Sequence, residues 1–164
     1  MKILIVYDSI FGNTKQIADV VHSSLGSQES IKISRVSEIH SGQLDGPDLL
    51  IVGSPTRAFR PTKEIAGFLN TIPPDGLKGI RVAVFDTRLS PVDVNSRVLN
   101  IMVRLFGYAA KPIADKLEKK GGILIAPPEG FLVKGSEGPL KEGELERAAA
   151  WSRSIMKAQI ESEK

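Results

Sequence analysis

The sequence of 164 residues has no cysteine, only two histidines, His22 and His40, and a single tryptophan, Trp151. Without cysteine there is no disulfide, no thiolate nucleophile, no iron–sulfur ligation and no sulfur-ligated zinc, and the two histidines are the only soft ligands left. Charge of one sign is also scarce: 22 basic residues against 19 acidic ones leave a net +3, with no basic block beyond Lys119 and Lys120. A dedicated nucleic-acid binder would concentrate its charge. No apolar run approaches the length that crosses a bilayer. The opening "MKILIVYD" has one lysine and a short apolar run but no small-residue cleavage site, so it reads as a first strand and not a signal peptide. The expectation is a cytoplasmic protein with no nucleic-acid, membrane or metal partner.

What is present fits one globular domain over residues 1–164, with 41% hydrophobic and 25% charged residues. Apolar runs at Ile3 to Tyr7, Leu49 to Gly53, Val82 to Phe85 and Ile123 to Ala126 are continuous, as strands buried on both faces should be. The alternating "IKISRV", Ile31 to Val36, reads as an edge strand. Helical spacing joins Ile17, Val20, Val21, Ser24 and Leu25, then Ile65, Phe68, Leu69 and Ile72, then Val94, Val98, Ile101 and Leu105. Ser90, Pro91 and Asp93 form a helix-start signature just after "FDTRL", while Gly107 and Pro112 split that segment from a helical piece around Ile113 and Leu117 that ends at Gly121 and Gly122. In the last helix Leu145, Ala148, Ala149, Ile155 and Met156 share a face, and Trp151 falls off it, which predicts packing at the rim. Strands alternating with helices predict an α/β parallel sheet covered on both sides. In such a sheet of order 2-1-3-4-5, ligands sit outside the carboxyl ends of strands one and three.

Three loops should therefore meet at that edge: Asp8 to Asn13, Pro55 to Pro61 and Asp86 to Ser90. The first, "YDSIFGNTKQIA", offers Ser9, Asn13 and Thr14 as hydroxyl and amide donors at a helix start, with Gly12 permitting close backbone approach. It has no basic residue before Lys15, so it suits a phosphate held by neutral donors and lacks the nucleotide-triphosphate pattern G-x-x-x-x-G-K-[ST]; the dinucleotide pattern G-x-G-x-x-G is absent too. An ordinary Asn-Thr helix cap would use the same residues. A receiver domain would need a phosphate-accepting aspartate where Gly53 and Ser54 stand. A serine hydrolase would need G-x-S-x-G, which does not occur. His22 falls inside the first helix and reads as a surface residue.

The first loop resembles the flavin mononucleotide (FMN) phosphate loop of flavodoxin-like proteins, [ST]-x-T-G-N-T. Phe11 departs from it in a way similar to flavodiiron proteins and some quinone-reductase relatives. "VGSPTRAFRPTKEIAGFLN" resembles the end of the family's third strand and the loop along the flavin ring, with Pro55 and Thr56 matching. "FDTRLSPVD" matches only in position, having no tyrosine or tryptophan for the other ring face. "PPEGFLVKGSEGPLKEGELERA" resembles the last strand and its turn into the last helix, a structural role. The resemblance implies a flavodoxin-like three-layer sandwich with a five-stranded parallel sheet of order 2-1-3-4-5. It implies FMN as cofactor, held by Ser9, Phe11, Gly12, Asn13 and Thr14, by Pro55, Thr56, Arg57, Ala58 and Phe59, and by Thr87, Arg88 and Leu89. Phe59 either stacks on the flavin or caps the core. The implied role is an electron carrier between a reductase and a redox partner protein. The alternatives are an FMN-dependent NAD(P)H oxidoreductase acting on quinones or other small acceptors, and an interaction module that has lost its cofactor. Arg57, Arg60 and Arg88 in the two ring-side loops make an acidic docking face improbable and should favour reduced flavin.

Overall fold

Residues 1–26, 30–40, 44 and 46–161 are described by the structure, a computed structural model. The strands are β1 (Ile3–Tyr7), β2 (Ile31–Arg35), β3 (Leu49–Pro55), β4 (Arg81–Leu89), β5 (Ile123–Leu124) and β6 (Glu129–Val133). The helices are α1 (Asn13–Ser24), α2 (Lys63–Thr71), α3 (Pro91–Val94), α4 (Arg97–Phe106), α5 (Ala110–Lys119) and α6 (Glu144–Glu161). The sheet runs β2-β1-β3-β4-β5, every pairing parallel, with β6 also on β4. This is the order expected, with one strand more than five.

The extra strand comes from a break. Ile123 to Ala126 has the composition of one buried strand, yet the ladder covers Ile123 and Leu124, opposite Arg81 and Val82, with one further bond from the Ile125 N–H to the Val82 carbonyl at 3.1 Å, and Ile123 is exposed. Pro127 and Pro128 follow and have no N–H to give a ladder. The chain resumes pairing as β6, opposite Phe85 to Leu89. β4 is correspondingly longer than its apolar run, so Asp86 to Leu89, expected as a loop, is strand.

Because successive residues of a strand face opposite sides, the sheet writes two cores. Leu4, Val6, Leu50, Val52, Val82 and Val84 face α2 and α5, where Ile65, Leu69, Ile113 and Leu117 cover them. Ile3, Ile5, Leu49, Ile51, Ala83 and Phe85 face α1 and α6. In the second core Trp151 is buried, with ring centroids 5.8 Å from Phe85 and 6.0 Å from Phe131, all edge-on. Trp151 is thus a core residue and not a rim one. The buried stripe of α6 is Glu144, Ala148, Trp151, Ser152, Ile155 and Gln159, while Leu145 faces solvent. Glu144 can face inward because its carboxylate accepts from the Leu132 N–H at 2.7 Å and pairs with Arg147, partners that hydropathy does not reveal.

The segment after β4 also differs from expectation. Ser90 precedes α3 without a side-chain cap bond, and Asn95 at φ 44° ends that helix after one turn. Ser96 then caps α4, its hydroxyl accepting from the Leu99 N–H at 3.2 Å. Pro112 does not split anything; it lies in the first turn of α5, where the missing N–H has no intrahelical acceptor to lose. The stripe read as buried, Val98, Ile101 and Leu105, is exposed, and the Val94 side chain lies outside the described residues.

Candidate functional site

β1 ends at Tyr7, and the chain turns through Asp8 to Gly12 into α1. Gly12 sits at φ 90°, a conformation that opens the turn without a Cβ penalty, and nothing lies within 4 Å of where a Cβ would be. The Ser9 hydroxyl accepts from the Gly12 N–H at 3.1 Å and the Lys15 N–H at 3.3 Å. Its own proton is left to donate outward. The N–H groups of Phe11, Asn13 and Thr14 find no acceptor among the described residues. Three unsatisfied donors at a helix start form a place for an anion.

The loop is braced from behind. Asp8, nearly buried, accepts from the Ser9 N–H at 2.8 Å and from Arg35, whose guanidinium also donates to the Ser9 carbonyl at 2.6 Å. Arg35 ends β2 directly opposite Tyr7, so the sheet register delivers it. Nothing in the sequence pattern marked it. Asn13 donates through Nδ2 to the Glu137 carbonyl at 3.0 Å, and Gly138 is needed there, since a Cβ would stand 2.5 Å from Asn13 Oδ1. Thr14 and Thr87 share a hydroxyl–hydroxyl bond of 2.8 Å. The Asn13 amide is therefore an anchor for the segment after β6, and its contribution to an anion comes from its backbone.

The second loop is a two-residue hairpin: Arg57 and Arg60 exchange N–H···O bonds of 2.9 and 3.0 Å, with Ala58 at φ 46° and Phe59 at φ 67° between them. Positive φ at both central residues belongs to a type I′ turn, which favours Asn-Gly, so Ala-Phe holds the loop under strain. Ser54 and Thr62 fix its base: the Thr62 N–H donates to Ser54 Oγ at 3.1 Å, and Thr62 caps α2. The Arg57 guanidinium lies 5.5 Å from the centroid of the Phe11 ring, joining the first two loops across the mouth.

Arg88 differs from the free cation expected of it. It forms a two-pronged pair with Asp86 at 2.5 and 2.8 Å and lies 3.9 Å over the Tyr108 ring. Asp86 is fully buried and also accepts from the Ala110 N–H at 2.8 Å. Burial pushes its carboxyl above the usual range, and the bonds from Arg88 and Ala110 pull against that. Arg88 thus faces the site with its charge largely compensated.

Ser9, Phe11, Asn13, Thr14, Pro55, Thr56, Arg57, Ala58, Phe59, Thr87, Arg88 and Leu89 all line one cleft of about 280 Å³, and Gly12 forms the turn at its end. Sequence reasoning missed six further residues of its wall: Ile10, Leu99, Val103, Tyr108, Val133 and Ser136. Tyr108 supplies an aromatic where "FDTRLSPVD" has none; its only local signal is the preceding Gly107, at φ 68°, which turns the chain back after α4. Val133 and Ser136 show that the stretch assigned a structural role also walls the cleft. His22 is half-buried in α1 and His40 is exposed; neither lines the cleft.

A parallel sheet of this order, with a cleft outside the carboxyl ends of β1 and β3, defines a doubly wound α/β protein with its site at the strand-order switch point. A family profile described as "Flavodoxin domain" matches residues 4–90, more than half of the chain, and the protein belongs to that family. No curated protein sequence matches it significantly. Among solved structures it is similar to oxidised flavodoxin 1 from Bacillus cereus, with 18% identity, a TM-score of 0.75, and 96% of this chain and 98% of that one covered. It is also similar to a flavodoxin from the domain Archaea, with 20% identity, a TM-score of 0.72 and coverage of 97% and 99%. Rubredoxin oxygen:oxidoreductase from Desulfovibrio gigas matches at 23% identity and a TM-score of 0.70, over 96% of this chain but only 36% of that larger one.

Proposed function

We propose that the chain binds FMN in this cleft and carries electrons between a reductase and a partner protein. The observation that carries the reading is that the N–H groups of Phe11, Asn13 and Thr14, residues that line a largely apolar cleft, have no acceptor among the described residues. The donors suit a phosphate dianion, and the apolar walls suit a flat, weakly polar ring. Ser9 Oγ and the two threonines, Thr14 and Thr87, add hydroxyls beside the backbone donors, and Arg35 with Asp8 keeps the turn in place. Bound flavin supplies one- and two-electron redox chemistry, while the protein supplies orientation and electrostatics. Titration with FMN, followed by quenching of flavin fluorescence, should show binding, with riboflavin far weaker because the phosphate is what the first loop holds. A protein that quenches neither flavin ends this reading.

A second reading, an FMN-dependent NAD(P)H oxidoreductase for quinones or other small acceptors, draws on exposed Arg57 at the cleft mouth with Arg60 beside it. Such cations can pair with the phosphates of a nicotinamide cofactor. Mixing the FMN-loaded protein with NADH or NADPH and no other protein decides between them: rapid bleaching of the flavin absorbance favours the enzyme, and a stable oxidised spectrum favours the carrier.

A further inference from the structure

α4, "RVLNIMVRLF", is apolar around much more of its circumference than it uses. Leu99 and Val103 line the cleft, yet none of its described side chains joins either core. Val98, Ile101 and Leu105 stand on the outward side, 71%, 57% and 70% exposed. At 100° per residue they form one ridge, and Arg97 and Arg104 form a second, parallel ridge beside it. Both arginines are exposed and make no ion pair among the described residues; Asp93, at the preceding turn, is already paired with Lys141. A helix apolar on two sides is ordinarily covered on both.

We propose that the outward face of α4 is the docking surface for an acidic redox protein that presents an apolar centre to Val98, Ile101 and Leu105 and an acidic rim to Arg97 and Arg104. The proposal rests on the reading of the cleft as a flavin site. Charge selects the occupant. In an antiparallel pairing of α4 with its own copy, like flanks meet, and the two arginine ridges would repel. Two arginines also fall short of the basic cluster that draws a helix to anionic lipid. Position agrees: the ridge and the cleft wall are opposite sides of one helix, so a docked partner lies about 10 Å from the site.

The test uses a plant-type [2Fe–2S] ferredoxin as the acidic redox protein and cytochrome c as a basic control, with binding read from backbone amide shifts. Ferredoxin should move the amides of residues 97–105, cytochrome c should not, and affinity should fall about tenfold or more between low and physiological salt. Arg97→Glu with Arg104→Glu should weaken binding at least about tenfold, and Ile101→Ser with Leu105→Ser about three- to tenfold, with circular dichroism unchanged. Absence of ferredoxin binding, shifts confined to other surfaces, or unaltered affinity in the charge-reversal variant would overturn the proposal. So would a dimer that Leu105→Asp dissolves, or co-sedimentation with phosphatidylserine vesicles that the serine variant loses. FMN titration is read separately: a chain that takes FMN while its α4 amides stay still sinks the docking surface alone, and one that binds ferredoxin on α4 without taking FMN sinks the cofactor reading alone.

Discussion

On the loop side of the cleft Asp8, Ser9, Asn13 and Thr14 are nearly buried, and each is tied to a different part of the chain, to Arg35, to the Gly12 and Lys15 amides, to Glu137 and to Thr87. On the opposite side α4 closes the cleft with Leu99 and Val103 while sending three apolar side chains into solvent. One wall is fixed by polar bonds that span the sequence, and the other is held by little beyond its inner contacts. Groups that must meet an anion in fixed geometry belong on the first kind of wall, and surfaces that open, close or receive a partner are drawn from the second.

Substitutions of graded effect test this contrast. The largest loss should follow Arg88→Leu, which strands the fully buried Asp86 carboxylate; urea unfolding at pH 7 should show about 3–5 kcal/mol lost. The loss should shrink on acidification, because a protonated Asp86 needs no counter-charge, and Asp86→Asn in the same chain should recover much of it. Next, Asn13→Ala with Thr14→Ala should lower FMN affinity by about 1–3 kcal/mol, because it removes the Asn13–Glu137 and Thr14–Thr87 ties that hold the helix-start N–H groups in place. Unchanged affinity would mean that the turn keeps its shape without these two ties.

Glu144→Gln should cost about 1–3 kcal/mol by weakening the bonds from the Leu132 N–H and Arg147. Burial alone would raise the Glu144 pKa, but the Arg147 and Leu132 bonds outweigh it and hold the carboxyl below its ordinary 4.5. A depressed folded value means stability that is present above pH 4.5 and lost as pH falls through the folded value, and the glutamine variant should lack this slope. Ala58→Gly should stabilise the fold by about 1 kcal/mol, since it releases one left-handed non-glycine residue, and should loosen FMN binding at the same time. Smallest of all, Leu105→Ser should move stability by no more than about 0.5 kcal/mol. A loss above about 2 kcal/mol there would mean that α4 is a structural wall, and the contrast would fail.

Much of this was legible in the chain because it is local. The runs of β1 and β3 are continuous and apolar, and a strand buried on both faces has no other composition available. The first loop declares itself within seven residues, since a strand end, a glycine and small polar donors before a helix leave few roles besides a cap or an anion site. The broken fifth position of the sheet was half legible: two prolines forbid pairing, but only the return of Glu129–Val133 to β4 shows that the gap is bridged and not the end of the sheet.

Sequence by itself determined the alternation of elements, the residues sharing each strand face, the strand order through family likeness, and the loops that converge. Tertiary structure alone decided which helix face is covered and which charge is free. Periodicity ranks Leu145 above Glu144 and makes Val98, Ile101 and Leu105 a core stripe, because it measures only relative polarity around an axis. Burial depends on what stands opposite: the Leu132 N–H and Arg147 bring Glu144 in, Phe85 and Phe131 bring Trp151 in, and nothing among the described residues covers the outward ridge of α4. Arg88 follows the same rule, as its charge in the cleft is set by Asp86 two residues away along β4 and by a tyrosine twenty residues further on, a pairing that exists only after the sheet has formed.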